Sequence, residues 1–160
     1  MDDLSFIDFP IIDLPDIQET LTHLSAQGLK LDVADGPRSV LVLYAPDGAS
    51  DFLLDVLRAC GYSEPEKQAW LIPWPTGQLL DLSALRDHLT CNRIILFGQS
   101  LPELGLHLNL ASYSPVQLGK QCYLKADSLA TIRDEKAAGN TRKAAALWQA
   151  LKTHFLHTQI

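Results

Sequence analysis

Arg93-Ile94-Ile95-Leu96-Phe97-Gly98-Gln99-Ser100 decides the fold of this 160-residue chain. Its apolar run stops abruptly at Gly-Gln-Ser. A short apolar run bounded by turn residues suits a strand buried on both faces, as in a parallel sheet. Two similar runs precede it, Val40-Leu41-Val42-Leu43-Tyr44 and Gln68-Ala69-Trp70-Leu71-Ile72. Between the first two lies a helix with Ser50 or Asp51 as N-cap, Phe52, Leu53, Val56 and Leu57 on its inner side, and Gly61 as its stop. Before the third, Asp81 opens a helix carrying Leu82, Leu85 and Leu89. This β-α-β-α-β pattern implies parallel strands with right-handed crossovers. Ligand sites in such sheets lie beyond the carboxyl ends of the strands. Residues 98–102 are therefore the first candidates for chemistry.

Downstream, residues 101–105 suit one helical turn and 111–115 a loop. Gln121-Cys122-Tyr123-Leu124-Lys125-Ala126 reads as a fourth strand. Asp127 is placed to cap a short helix over 128–133. The strongest helical pattern covers 141–156, with Ala144, Leu147, Trp148, Leu151 and Phe155 at helical spacing. Upstream, residues 16–29 are helical by pattern, with Asp16 and Glu19 in the first turn. The expected fold is an α/β three-layer sandwich around a mostly parallel four-stranded sheet, order 2-1-3-4. Residues 16–160 form its single domain and residues 1–15 an N-terminal arm.

The arm alternates acidic residues with Phe6, Ile7, Phe9, Ile11, Ile12 and Leu14, and Pro10 and Pro15 discourage a continuous helix. It fits either an extended segment packed on its own domain or one that orders on a partner, its apolar side chains filling pockets. Trp148 has two readings as well: a core residue of its stripe, or an anchor at an interface, where Trp is enriched.

Composition excludes several classes. The formal charge of −6 argues against an extended phosphate-binding surface. Arg133, Lys136, Arg142 and Lys143 are the only candidates for a local basic patch. Cys60, Cys91 and Cys122 form no C-x-x-C pair, so buried thiols are expected in place of a metal or redox motif. His154 and His157 are three apart, but a solvated helix end explains them better than a metal site. His88 has the same explanation. His107 lies in an irregular segment and reads as structural, with the cleft as the alternative. No P-loop, dinucleotide fingerprint or nucleophile elbow occurs. The chain opens Met1-Asp2-Asp3 without a basic n-region, and no apolar run nears the roughly 20 residues of a membrane span. The expected setting is cytoplasmic, with no membrane partner, no metal and no cofactor.

Two resemblances carry the functional reading further. Gly98-Gln99-Ser100-Leu101-Pro102 resembles the water-activating loop of uracil-DNA glycosylases, in which Gly-Gln is followed by Asp-Pro-Tyr. Here Ser100 stands at the Asp position. Tyr113-Ser114-Pro115 resembles that family's His-Pro-Ser-Pro loop, with Ser112 at the His position. Both departures remove groups that activate water or stabilise charge. The resemblance implies a vestigial cleft at Gly98, Gln99, Ser100, Asn109 and Ser114. The alternative is a divergent glycosylase using Gln99 and Asn109, with Ser100 or His107 replacing the usual groups.

The second resemblance lies at the other end. Arg142-Lys143-Ala144-Ala145-Ala146-Leu147-Trp148-Gln149-Ala150-Leu151 resembles the final helix of the psi subunit of bacterial DNA polymerase III. Leu124-Lys125-Ala126-Asp127-Ser128-Leu129 is similar to that family's strand leading into its Ser-Leu helix. The resemblance covers about the last 60 residues; Gly98-Gln99-Ser100 and the Pro73-Trp74-Pro75 turn have no counterpart in it. It implies a non-catalytic clamp-loader accessory protein. Its arm would dock on the clamp-loader collar through Phe6, Ile7, Phe9 and Ile12. Its domain would pair with a chi-like subunit that contacts single-stranded-DNA-binding protein, Trp148 being a partner-binding residue. Strong direct nucleic-acid binding is not expected. A third reading is an α/β domain with a small ligand beside Gly98.

Overall fold

The computed structural model describes residues 14–27, 38, 40–46, 48–75, 77–106 and 109–154, except the side chains of 153 and 154. The first element among the described residues is α1 (Ile17–Ala26), whose N-cap Asp16 accepts a hydrogen bond from the Glu19 amide at 2.8 Å. Then follow β1 (Val40–Tyr44), α2 (Ser50–Ala59), the single turn α3 (Pro65–Gln68), β2 (Ala69–Pro73), α4 (Leu82–Leu89) and β3 (Arg93–Phe97). A 3-10 turn at Pro102–Leu104 leads to β4 (Val116–Leu118), β5 (Gln121–Ala126), α5 (Leu129–Ala137) and α6 (Arg142–His154).

The described residues form one five-stranded sheet of order β2-β1-β3-β5-β4. The four expected strands hold their expected order, and all their pairings are parallel. The fifth strand is an addition. β4 pairs antiparallel with β5, with Leu118 opposite Gln121 across the Gly119-Lys120 turn. Three residues at a half-exposed edge are too short to show a period of two, so periodicity does not reveal this strand.

Alternation along the strands builds two cores. Val40, Val42, Ile95, Phe97, Leu124 and Ala126 face Leu53 and Leu57 of α2, Leu129 and Ile132 of α5, and Leu147 and Leu151 of α6. Leu41, Leu43, Ile72, Ile94, Leu96 and Tyr123 face Leu24 of α1, Leu82, Leu85 and Leu89 of α4, and Leu101, Leu104, Leu106 and Leu110 around the 3-10 turn. The layering is helix, sheet, helix.

Local departures have local causes. α2 starts one residue early: Ala49 is its N-cap, without a side-chain bond, because Ala49 is buried against the core. It ends as expected, since Gly61 takes φ +97° while the Gly61 and Tyr62 amides donate to the carbonyls of Arg58 and Leu57. Gln68 closes α3 and does not open β2. Ser128, not Asp127, caps α5, accepting from the Thr131 amide; the Asp127 carboxylate is held by Tyr113 and Lys143. That helix also runs on to Ala137. The arm through residue 13, residues 28 and 29 of the expected first helix, His107 and residues 155–160 lie outside the described residues. Leu14, at the arm's end, packs on Gly105. Among the described residues no helix is long and apolar enough to cross a membrane.

Candidate functional site

The sheet order places the switch point between β1 and β3, where the chain changes direction across the sheet. Backbone bonds continue past the strand ends there. Ala45 donates to the Phe97 carbonyl at 3.4 Å, Trp74 to Tyr44 at 2.8 Å and Gly98 to Ala126 at 3.0 Å. Gly98 takes φ +67°, and a Cβ on it would lie 2.9 Å from the Ser128 Cβ. Only glycine lets the start of α5 pack this close to the end of β3.

Gln99 is 6% exposed, and its Nε2 donates to the Trp74 carbonyl at 3.0 Å. The Trp74 indole donates to the Gln78 carbonyl, and the Gln78 amide meets His23 Nε2 at 2.8 Å. The His23 and Trp74 rings meet edge to face at 5.6 Å. From the other side, Glu103 Oε2 accepts from the Gly77 amide and its carbonyl from Leu80. The Pro73-Trp74-Pro75 turn is thereby tied to residues 99–103. Gln99 is a bracket between two loops, and its amide donor points into the protein wall. Of the other cleft candidates, Ser100 is half-buried, while Asn109 and Ser114 are exposed. No hydrogen bond among the described residues joins either of those two to Gln99.

A second set of titratable groups, at the end of β5, forms a lock. Tyr113, at φ +65°, donates its hydroxyl to Asp127 Oδ2 at 2.6 Å. Lys143 Nζ lies 3.7 Å from Asp127 and 2.6 Å from Glu135. Burial, and then the bond to Asp127, push the Tyr113 hydroxyl up, so it stays protonated. The bond to Glu135, joined by the charge of Asp127, raises Lys143 and keeps it cationic. The cluster ties the 111–115 loop, the end of β5, α5 and α6 together. It also engages Lys143, one of the candidates for a local basic patch, and Arg133, another, is held by Asp134 and the Gly48 carbonyl. Cys60, Cys91 and Cys122 are buried free thiols. Burial raises Cys60 to about 11 and Cys91 to about 12. Among the described residues no three His, Cys, Asp or Glu side chains converge to hold a metal ion.

A different surface is open. Trp148 is 38% exposed, whereas Trp70 and Trp74 are each 2% exposed. The core-stripe reading of Trp148 therefore gives way. Leu147 and Leu151 occupy the inward face of α6, and one residue further on is a rotation of about 100° away from it. Trp148 instead lines a groove of about 280 Å³ between α2 and α6. Phe52, Val56 and Ala59 form one wall, Ala144, Leu147 and Leu151 the other, with Asp55 and Lys136 also lining it. Pattern reading missed the groove because it exists only once the crossovers bring α2 and α6 side by side. One signal was available: Phe52-Leu53 and Val56-Leu57 make an apolar stripe on α2 wider than one sheet face can cover.

These observations define a doubly wound α/β domain whose switch-point loops are bound to one another and whose helical face carries an apolar groove. No protein-family model, curated protein or solved structure matches the chain.

Proposed function

We propose that the chain is a non-catalytic adaptor of the DNA-replication machinery, similar to the psi subunit that accompanies the polymerase III clamp loader. The observation that carries this reading is Trp148. It belongs to the 142–151 segment that resembles the psi family, and it stands exposed over an apolar groove. Exposed aromatic side chains in such settings anchor protein partners. At the carboxyl edge, by contrast, the Gln99 donor is engaged internally. A charge of −6 suits a chain that grips proteins in preference to DNA. On this reading Phe6, Ile7, Phe9 and Ile12 anchor the arm on the clamp-loader collar, and the domain pairs with a chi-like subunit.

Co-purification from source cells tests it. The full chain should recover clamp-loader subunits, and a chain lacking residues 1–13 should lose the collar subunits. Recovery of no clamp-loader subunit would overturn the reading. The glycosylase alternative predicts uracil excision that falls on Gln99→Ala; the adaptor reading predicts none from the parent chain.

A further inference from the structure

The charges around the Trp148 groove are unequal. Asp55 lies 3.5 Å from Arg58 on its own helix. Lys136 of α5 and Lys152 of α6 form no ion pair with any described residue. The Lys152 ammonium stands 6.0 Å from the Trp148 ring centroid. In a chain of net charge −6, an apolar slot with one lysine in its lining, a second beside its Trp148, and neither ion-paired among the described residues, is a local exception. Its volume of about 280 Å³ is below the range of pockets that enclose drug-sized ligands, but suits inserted side chains. The α2 wall from Phe52 to Ala59 is about 10 Å long, two turns of a facing helix.

We propose that this groove seats an amphipathic helix of a partner protein, with large apolar anchors at i, i+3 and i+7 and carboxylates flanking them. The anchors fill the space between Phe52, Val56 and Trp148. The carboxylates meet Lys136 and Lys152, and such charges select the partner and speed its approach. The proposal deepens the adaptor reading and rests on it for the existence of a partner.

Trp148 supplies the assay, because the other two tryptophans are buried. The probes are a designed helical peptide with leucine anchors flanked by glutamates, and the same peptide with lysines replacing the glutamates. Quenching of the full chain's tryptophan fluorescence by acrylamide is followed during each titration. The acidic peptide should protect Trp148 saturably and bind about tenfold or more tightly than its basic counterpart. Lys136→Glu/Lys152→Glu should abolish that preference with the folded spectrum unchanged. Equal binding of the two peptides, or protection by neither, would overturn the proposal. So would protection that depends on chain concentration alone, which marks a second copy as occupant, or on residues 1–13, which marks the arm. Failure here is separable from failure of the adaptor reading. If a chi-like subunit co-purifies equally with the Lys136→Glu/Lys152→Glu chain, the groove proposal falls and the adaptor reading stands. If the acidic peptide binds but no clamp-loader subunit co-purifies, the reverse holds.

Discussion

The carboxyl edge of the sheet and the α2–α6 groove are opposites in how their side chains are used. At the edge, Gln99 is 6% exposed and bonded to Trp74, and Gly98 is pressed against Ser128. In the groove, Trp148 is 38% exposed, and neither Lys136 nor Lys152 has an ion-pair partner among the described residues. The residues that look most like chemistry in the sequence hold the fold together. A residue that looks like core faces outward. A motif's residue types show which interactions are available, and only the packing shows whether they are made within the chain or left for a partner.

The contrast can be broken by substitution, beginning where the largest effect is expected. Gly98→Val places a side chain at φ +67° and against Ser128. Strain and overpacking together should destabilise the domain by about 2–4 kcal/mol, read as a lowered urea midpoint. Gln99→Ala removes the donor to the Trp74 carbonyl, which lies in a buried setting. The expected loss is about 1–3 kcal/mol in the same assay, with partner binding by the folded fraction unchanged. A Gln99→Ala chain of unaltered stability would contradict the bracket role. Trp148→Ala should alter stability by less than about 1 kcal/mol, because the ring is part-exposed, yet weaken partner capture about tenfold or more.

The smallest effect at neutral pH concerns the thiols. Cys60 and Cys91 are held protonated in the folded chain, at about 11 and about 12 against ordinary values of 9.0. Unfolded thiols ionise first as pH rises, so the folded chain then binds more protons. Stability from these groups is complete below pH 9 and is lost as pH climbs toward 11–12. Urea midpoints should therefore fall on the alkaline side. Cys60→Ala/Cys91→Ala should flatten that fall, whatever its own cost in packing. An alkaline limb equally steep in the double variant would contradict the assignment.

Most of the scaffold was legible in the residues. The apolar residues 40–43 and 94–97 are buried, and Asp81, read as opening its helix, caps α4 by accepting from Ala84 at 3.1 Å; Asp16, read within the first turn of α1, is its N-cap. These are signals within one turn or one strand. What was not legible depends on groups far apart in the chain. Asp127 fails to cap α5 because Tyr113, 14 residues away, holds it. The role of Gln99 depends on Trp74, 25 residues away. Trp148 is left half out of the core because Leu147 and Leu151 take the inward face of α6, and which part of its apolar stripe faces inward is set by α6's packing on distant elements. The arm anchors Phe6, Ile7, Phe9 and Ile12 lie outside the described residues, so their role rests on the resemblance alone.

The most direct test compares two variants in one binding measurement. The affinity of the folded chain for the co-purifying chi-like subunit would be determined for the parent, Gln99→Ala and Trp148→Ala proteins, at a temperature where all three are folded. The account predicts parent-like affinity for Gln99→Ala and a loss of about tenfold or more for Trp148→Ala. Loss of affinity in Gln99→Ala with Trp148→Ala unaffected would contradict it.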